Sequence, residues 1–165
     1  MIPELHLAVL RRLCARLADG DIVWAVTGSA GLALQGVPVE VHDLDLQADA
    51  AGIYEIEQRL AEHVAESVHW RSTEKIGSHL GVLEINGLKV ELMGGLQKRL
   101  PSGEWEPPVD VAALRRFVEV GELRIPVLPL EHEHQAYLLL GRPEKAALIK
   151  RTMDEGNAQS VTSKT

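Results

Sequence analysis

The chain has 165 residues, 45% of them hydrophobic, and a formal net charge of -7, which fits one globular domain with a real core and disfavours a broad basic surface for nucleic acid. Cys14 is the only cysteine, so an internal disulfide and a multi-cysteine metal site are excluded and a reducing, cytoplasmic setting is expected. No stretch approaches the roughly 18 apolar residues of a membrane span, and Glu4, His6, Arg11 and Arg12 interrupt any run that could serve as a signal peptide.

From Pro3 to Ala18, apolar residues at Leu5, Val9, Leu10, Leu13 and Leu17 recur at helical spacing, with Cys14 inside the pattern as a small core residue. Asp19-Gly20-Asp21 ends this helix, and Ile22 to Val26 reads as a buried strand. Gly28-Ser29 then opens a helix of about two turns, stopped by Gly36. The free N–H groups and the Ser29 hydroxyl at its start favour an anion, although a plain cap explains the same residues.

A second strand is expected from Glu40 to Gln47. Side chains alternate along a strand, so Val41, Asp43 and Asp45 share one face while His42, Leu44 and Leu46 share the other. Two neighbouring carboxylates need a cation or a proton between them, and packing supplies neither. Asp49 caps a helix expected to run to about Glu66, with Ile53, Ile56, Leu60 and Val64 on its buried side.

Leu80 to Ile85 and Leu88 to Met93 flank Asn86-Gly87, which predicts a tight hairpin. In its second strand Glu91 points away from the face of Leu88, Val90 and Leu92, offering a third acid on a strand that could lie beside the first two. Gly94-Gly95 is read as the end of that strand, and Lys98 to Gly103 as a basic loop. Lys75 lies in another loop, Ser72 to His79, and both lysines are candidate phosphate contacts. A short helix is expected over Val111 to Phe117, and an edge strand over Arg124 to Leu128 because it contains Pro126. Two helices split at Gly141-Arg142-Pro143 complete the domain. His132 and His134 tempt a metal reading, but residues two apart on a helix do not share a face, so they are set aside.

The order of strand, Gly-Ser turn, helix, Asp-x-Asp strand and later acidic strand resembles the nucleotidyltransferase superfamily with the DNA-polymerase-β-like fold. The matching residues are Thr27-Gly28-Ser29 and Val41-His42-Asp43-Leu44-Asp45-Leu46, with His42 where the family is often apolar. Small prokaryotic nucleotidyltransferases are similar over nearly the whole chain, including Ala33 to Asp43 and Gly141 to Ala146. The resemblance implies an α+β fold, a mixed β-sheet flanked by helices with a C-terminal helical hairpin. One domain over 1–156 follows, with a core at about 21–128, helices at about 130–156 and a frayed polar tail over 157–165.

It also implies transfer of a nucleoside monophosphate from a nucleoside triphosphate to a hydroxyl of a small molecule or a protein, releasing pyrophosphate. Asp43, Asp45 and Glu91 would be the catalytic acids and hold two Mg2+ ions, with Mn2+ as a substitute. Gly28 and Ser29 would meet the phosphates, with Lys75 and Lys98 as further nucleotide contacts. Hard cations prefer carboxylate oxygens, and two such ions suit a displacement in which attacking and leaving oxygens both gain charge. Two other readings compete: a nucleotide-binding or interaction module without turnover, such as a toxin-antitoxin or regulatory partner, and an unrelated α/β protein whose acids bind a structural cation.

Overall fold

The computed structural model describes residues 2–163, with side chains as far as residue 157. Helix α1 (Glu4–Arg16) buries Val9, Leu10 and Leu13, as its apolar stripe requires. Cys14 is half-buried, and burial pushes its thiol pKa up, in keeping with an inert packing role.

Seven strands form one mixed sheet. At its centre β1 (Trp24–Thr27) runs antiparallel to β2 (Leu44–Ala48), which runs parallel to β5 (Leu88–Lys98). Outside β5 lie β4 (Ile76–Ile85) and then the edge strand β3 (Val64–Ser72), both antiparallel to their neighbours. On the other flank β7 (Leu123–Val127) is parallel to β1, and β6 (Arg116–Val120) closes that edge.

The alternation along β2 sorts the molecule into two sides. Leu44, Leu46 and Ala48 are buried with Val90 and Leu92 of β5 against α1 and the second long helix, α3 (Ala50–Arg59), whose Ile53 and Ile56 are fully buried. Asp45 and Gln47 face the other way, level with Thr27 and Ala25 of β1 and with Glu91 and Met93 of β5. That second side is covered by α4 (Val111–Leu114) and by α5 (Leu130–Leu139), which packs against α6 (Pro143–Ser163) as a helical hairpin.

The fold class and the Asn86-Gly87 hairpin agree with the sequence; Asn86 (φ 53°) and Gly87 (φ 80°) both take the left-handed conformation that such a turn requires. Several boundaries differ. The Asp-x-Asp strand starts at Leu44 rather than Glu40, because Thr27 pairs with Asp45 and the next residue of β1's chain, Gly28, already belongs to α2 (Gly28–Leu34). Residues 40–43 therefore have no ladder partner on that side, and Asp43 sits just outside the strand.

Helix α3 stops at Arg59, and a single 3-10 turn (Ala61–His63) leads into β3, whose exposed Glu66 belongs to an edge strand. Gly94-Gly95 does not end β5. A Cβ on Gly94 would lie 2.2 Å from Ile53 Cγ2, so the glycine lets α3 approach the sheet, and Gly95 (φ 58°) lies at an irregularity of the β4–β5 pairing. The loop around Lys75 shrinks accordingly to 73–75.

Arg116 and Phe117 belong to β6 rather than to a helix, and Pro126 lies in β7 between β1 and β6, not at an edge. Its lost N–H is tolerated because the β1–β7 register is a single pair, Val26 with Val127. Helix α6 continues to Ser163, through most of the segment expected as a tail; no proline interrupts it, and Lys164 and Thr165 lie outside the described residues.

Candidate active site

Asp45 is the pivot of the polar side. It projects from the centre of the sheet between Thr27 and Glu91, its register partners on either flank. Gly28 has φ 66°, and a Cβ placed on it would lie 2.1 Å from Asp45 Oδ2, so the carboxylate rests directly over the start of α2 in space that only glycine leaves open. Ser29 is buried beside it, and its Oγ accepts the His42 N–H at 3.0 Å. The His42 carbonyl in turn meets His6 Nε2 at 2.6 Å, so α1 and α2 together hold the loop that delivers Asp43.

The electrostatics of Asp45 set the site apart. Its pKa is raised to about 8, chiefly by burial, then by a hydrogen bond with the Glu91 carboxyl and by the charges of Glu91, Asp43 and Glu133. Asp45 Oδ1 is buried without a partner. A carboxyl crowded by acids and missing a partner is stabilised by a proton or by a cation. The donors are all hard oxygens, so Asp45 and Glu91 fit a divalent ion such as Mg2+. Asp43 stands apart: its side chain is half-exposed, 3.9 Å from Lys89 Nζ. Among the described residues no three histidine, cysteine, aspartate or glutamate side chains converge as a ligand group.

Lys98 is the last residue of β5 and is only 5% exposed, which corrects its placement in a basic loop. Burial pushes its pKa down, against the opposing charges of Glu106 and Glu133. It lines a cavity of about 180 Å³ together with Thr27, Gly28, Asp45, Gln47 and Glu133. Lys75 lies outside this lining, exposed on the turn between β3 and β4. His132 reaches the cavity, with its pKa lowered to about 4 by burial and then by Lys98, whereas His134 does not.

Three residues of the site escape a reading by motif. Glu133 of α5 is 4% exposed; Thr27 Oγ1 donates to its Oε1 at 2.5 Å, and burial raises its pKa to about 7 despite Thr27 and Lys98. Gln47 is 5% exposed and its Oε1 is unpartnered. Arg142, at the α5–α6 corner, closes the same cavity. Glu133 had a signal: it falls on the inward stripe of α5 with Leu130 and Tyr137, three and four residues away, an acid at an apolar position. Gln47 had one too, two residues beyond Asp45 on the same face.

Residues 9–151 match the family described as aminoglycoside-2''-adenylyltransferase. None of the curated proteins matches the chain. A candidate nucleotidyltransferase from Thermotoga maritima is 53% identical, over 94% of this chain and 96% of its own, with a TM-score of 0.82. Two more distant structures share the fold. The lincosamide antibiotic adenylyltransferase LnuA, bound to lincomycin, has 15% identity over 90% of this chain and 97% of its own, with a TM-score of 0.55. The antibiotic-resistance factor ANT(2'')-Ia has 9% identity over 99% and 97%, with a TM-score of 0.58. With most of its length matched by the family model and 53% identity to the Thermotoga protein over 94% of the chain, it belongs to this nucleotidyltransferase family, related to the antibiotic adenylyltransferases.

Proposed function

We propose that the protein transfers a nucleoside monophosphate from a triphosphate to a hydroxyl of a small molecule, in a reaction that depends on Mg2+ and accepts Mn2+. The observation that carries this reading is Asp45: a buried carboxyl with an unpartnered oxygen, set over Gly28 and level with Glu91 on the neighbouring strand. Asp45 and Glu91 would hold the metal, with Asp43 joining them from the loop that Ser29 and His6 fix. When bound, two such ions would neutralise the charge that develops on the attacking and leaving oxygens. Glu91 also stands ready to accept the proton of the attacking hydroxyl. Gly28, lacking a side chain, lets the Asp45 carboxylate sit over the start of α2, where the phosphates would approach, and Glu133, held by Thr27, borders the same cavity. Small-molecule acceptors are favoured over proteins because the cavity is small and the fold neighbours include an adenylyltransferase bound to lincomycin.

Incubation with the four triphosphates, Mg2+ and a cell metabolite extract, followed by mass spectrometry, tests the proposal. A nucleotidylated product and pyrophosphate are expected, and both should vanish in Asp45→Asn. Full activity in that variant would sink the mechanism. The half-exposed Asp43, beside Lys89 and not gathered with the other acids, favours the rival reading of a nucleotide-binding module without turnover. That reading predicts triphosphate binding with no pyrophosphate from any acceptor.

A further inference from the structure

Asp45 stands beside a hydroxyl that does not serve it. Thr27 is its register partner on β1, so the two side chains leave the sheet on the same face, with Cβ atoms about 4.5–5.5 Å apart. Asp45 Oδ1 is buried with no hydrogen-bond partner. A threonine hydroxyl carries a single proton, and a turn about χ1 would offer that proton to the orphaned oxygen. Instead Thr27 Oγ1 donates to Glu133 Oε1 at 2.5 Å, across 106 residues of chain. Both residues are buried, at 6% and 4% exposed.

The rest of the turn is withheld from Asp45 as well. Gly28 has no side chain, and Ser29 Oγ is engaged with the His42 N–H at 3.0 Å. The start of α5 is fixed independently of Glu133: the Leu128 N–H donates to the Val26 carbonyl at 3.1 Å, and Gln35 Nε2 to the Leu128 carbonyl at 2.8 Å. Glu133 therefore meets Thr27 from a frame already anchored to β1 and α2. It lies on the stripe of α5 that also carries Leu130 and Tyr137, which pack in an apolar cluster, and an acid there costs stability that an apolar residue would not. Taking Asp45 as the metal ligand proposed above, we infer that Glu133 is a positioning residue: it draws the Thr27 hydroxyl away from Asp45 and keeps Oδ1 open for the cation. A hydroxyl donating to Oδ1 would satisfy the carboxylate in the cation's place. The helical hairpin thus conditions the metal site without contributing a ligand. A carboxyl accepts at one oxygen whether or not it carries a proton, so the hold on Thr27 persists in either state.

Calorimetric titration of the full chain with Mg2+, together with the carboxyl-carbon NMR resonance of Asp45 in the metal-free chain, assigned by its loss in Asp45→Asn, tests this inference. Glu133→Leu should weaken Mg2+ binding by about tenfold or more and shift the Asp45 resonance. Glu133→Gln loses the same charge but keeps an oxygen for Thr27, so it should weaken Mg2+ less and move the resonance less. Adding Thr27→Val to Glu133→Leu removes the freed hydroxyl and should return Mg2+ affinity to the Glu133→Gln level, a recovery that damaged packing would not give. Melting curves check the fold, and Glu133→Ala replaces Glu133→Leu if that variant does not fold. Wild-type Mg2+ affinity with an unmoved resonance in Glu133→Leu, or a double variant as weak as Glu133→Leu, overturns the inference and leaves the metal site standing. If the resonance moves as described but the wild-type chain binds no Mg2+, the hold on Thr27 stands and the metal reading falls.

Discussion

The two faces of the central sheet obey opposite rules. Toward α1 and α3, Leu44, Leu46, Val90 and Leu92 are fully buried in a continuous apolar cluster. Toward α5, the intervening residues of the same strands are Asp45, Gln47 and Glu91, joined by buried Glu133 and Lys98. Burying polar groups without partners costs about 1–3 kcal/mol each, more when they are charged. The first face is built for stability. The second gives up stability to hold polar groups without partners, Asp45 Oδ1 and Gln47 Oε1 among them.

The sharpest way to break this contrast is to neutralise one residue on each face. Asp45→Asn should abolish transfer, a loss beyond the ~10- to 100-fold that changes behind a metal's direct ligands bring. The same variant should melt higher than the metal-free wild type, because it removes a crowded acid. One residue along the strand, Leu46→Ala should cost about 2–5 kcal/mol in denaturant unfolding through lost packing. Gly28→Ala lies between the two. Its left-handed backbone and the 2.1 Å approach of the new Cβ to Asp45 Oδ2 should displace that carboxylate, cutting Mg2+ affinity and lowering the melting temperature together.

A pH series sharpens the same comparison. Asp45 and Glu133 have folded pKa values near 8 and 7, above their unperturbed values of 3.8 and 4.5. Between those limits the folded chain binds more protons than the unfolded chain, so their contribution to stability falls as pH rises from about 4 to about 8. Metal-free melting temperatures should decline across that window, and less steeply in Asp45→Asn. The smallest effect belongs to the surface: Lys89→Gln, which removes the partner 3.9 Å from Asp43, should change stability by under about 1 kcal/mol.

Much of this contrast is legible in the sequence, because strand alternation alone separates Asp45 from Leu46 and Glu91 from Leu92. That β2 and β5 lie side by side, bringing Asp45 level with Glu91, is a long-range pairing that local pattern does not encode. Where structure and sequence pattern differ, one residue type serves two purposes. Gly94 looks like a strand breaker yet admits Ile53. Pro126 looks like an edge marker, yet β6 lies outside it. Glu133 was masked by its alternation with His132 and His134, although its helical spacing pointed inward. Lys98 sits among basic and turn residues in sequence, and only the continuation of β5 past Gly95 buries it.

On the proposed reading, Asp45 and Glu91 form a Mg2+ site. Calorimetric titration of Mg2+ at pH 7 in two buffers of different ionisation enthalpy measures it directly. With its pKa near 8, Asp45 is largely protonated in the metal-free protein, so binding should release about one proton per chain, and Asp45→Asn should release none. Mg2+ binding without proton release, or equally strong binding in Asp45→Asn, would contradict the account.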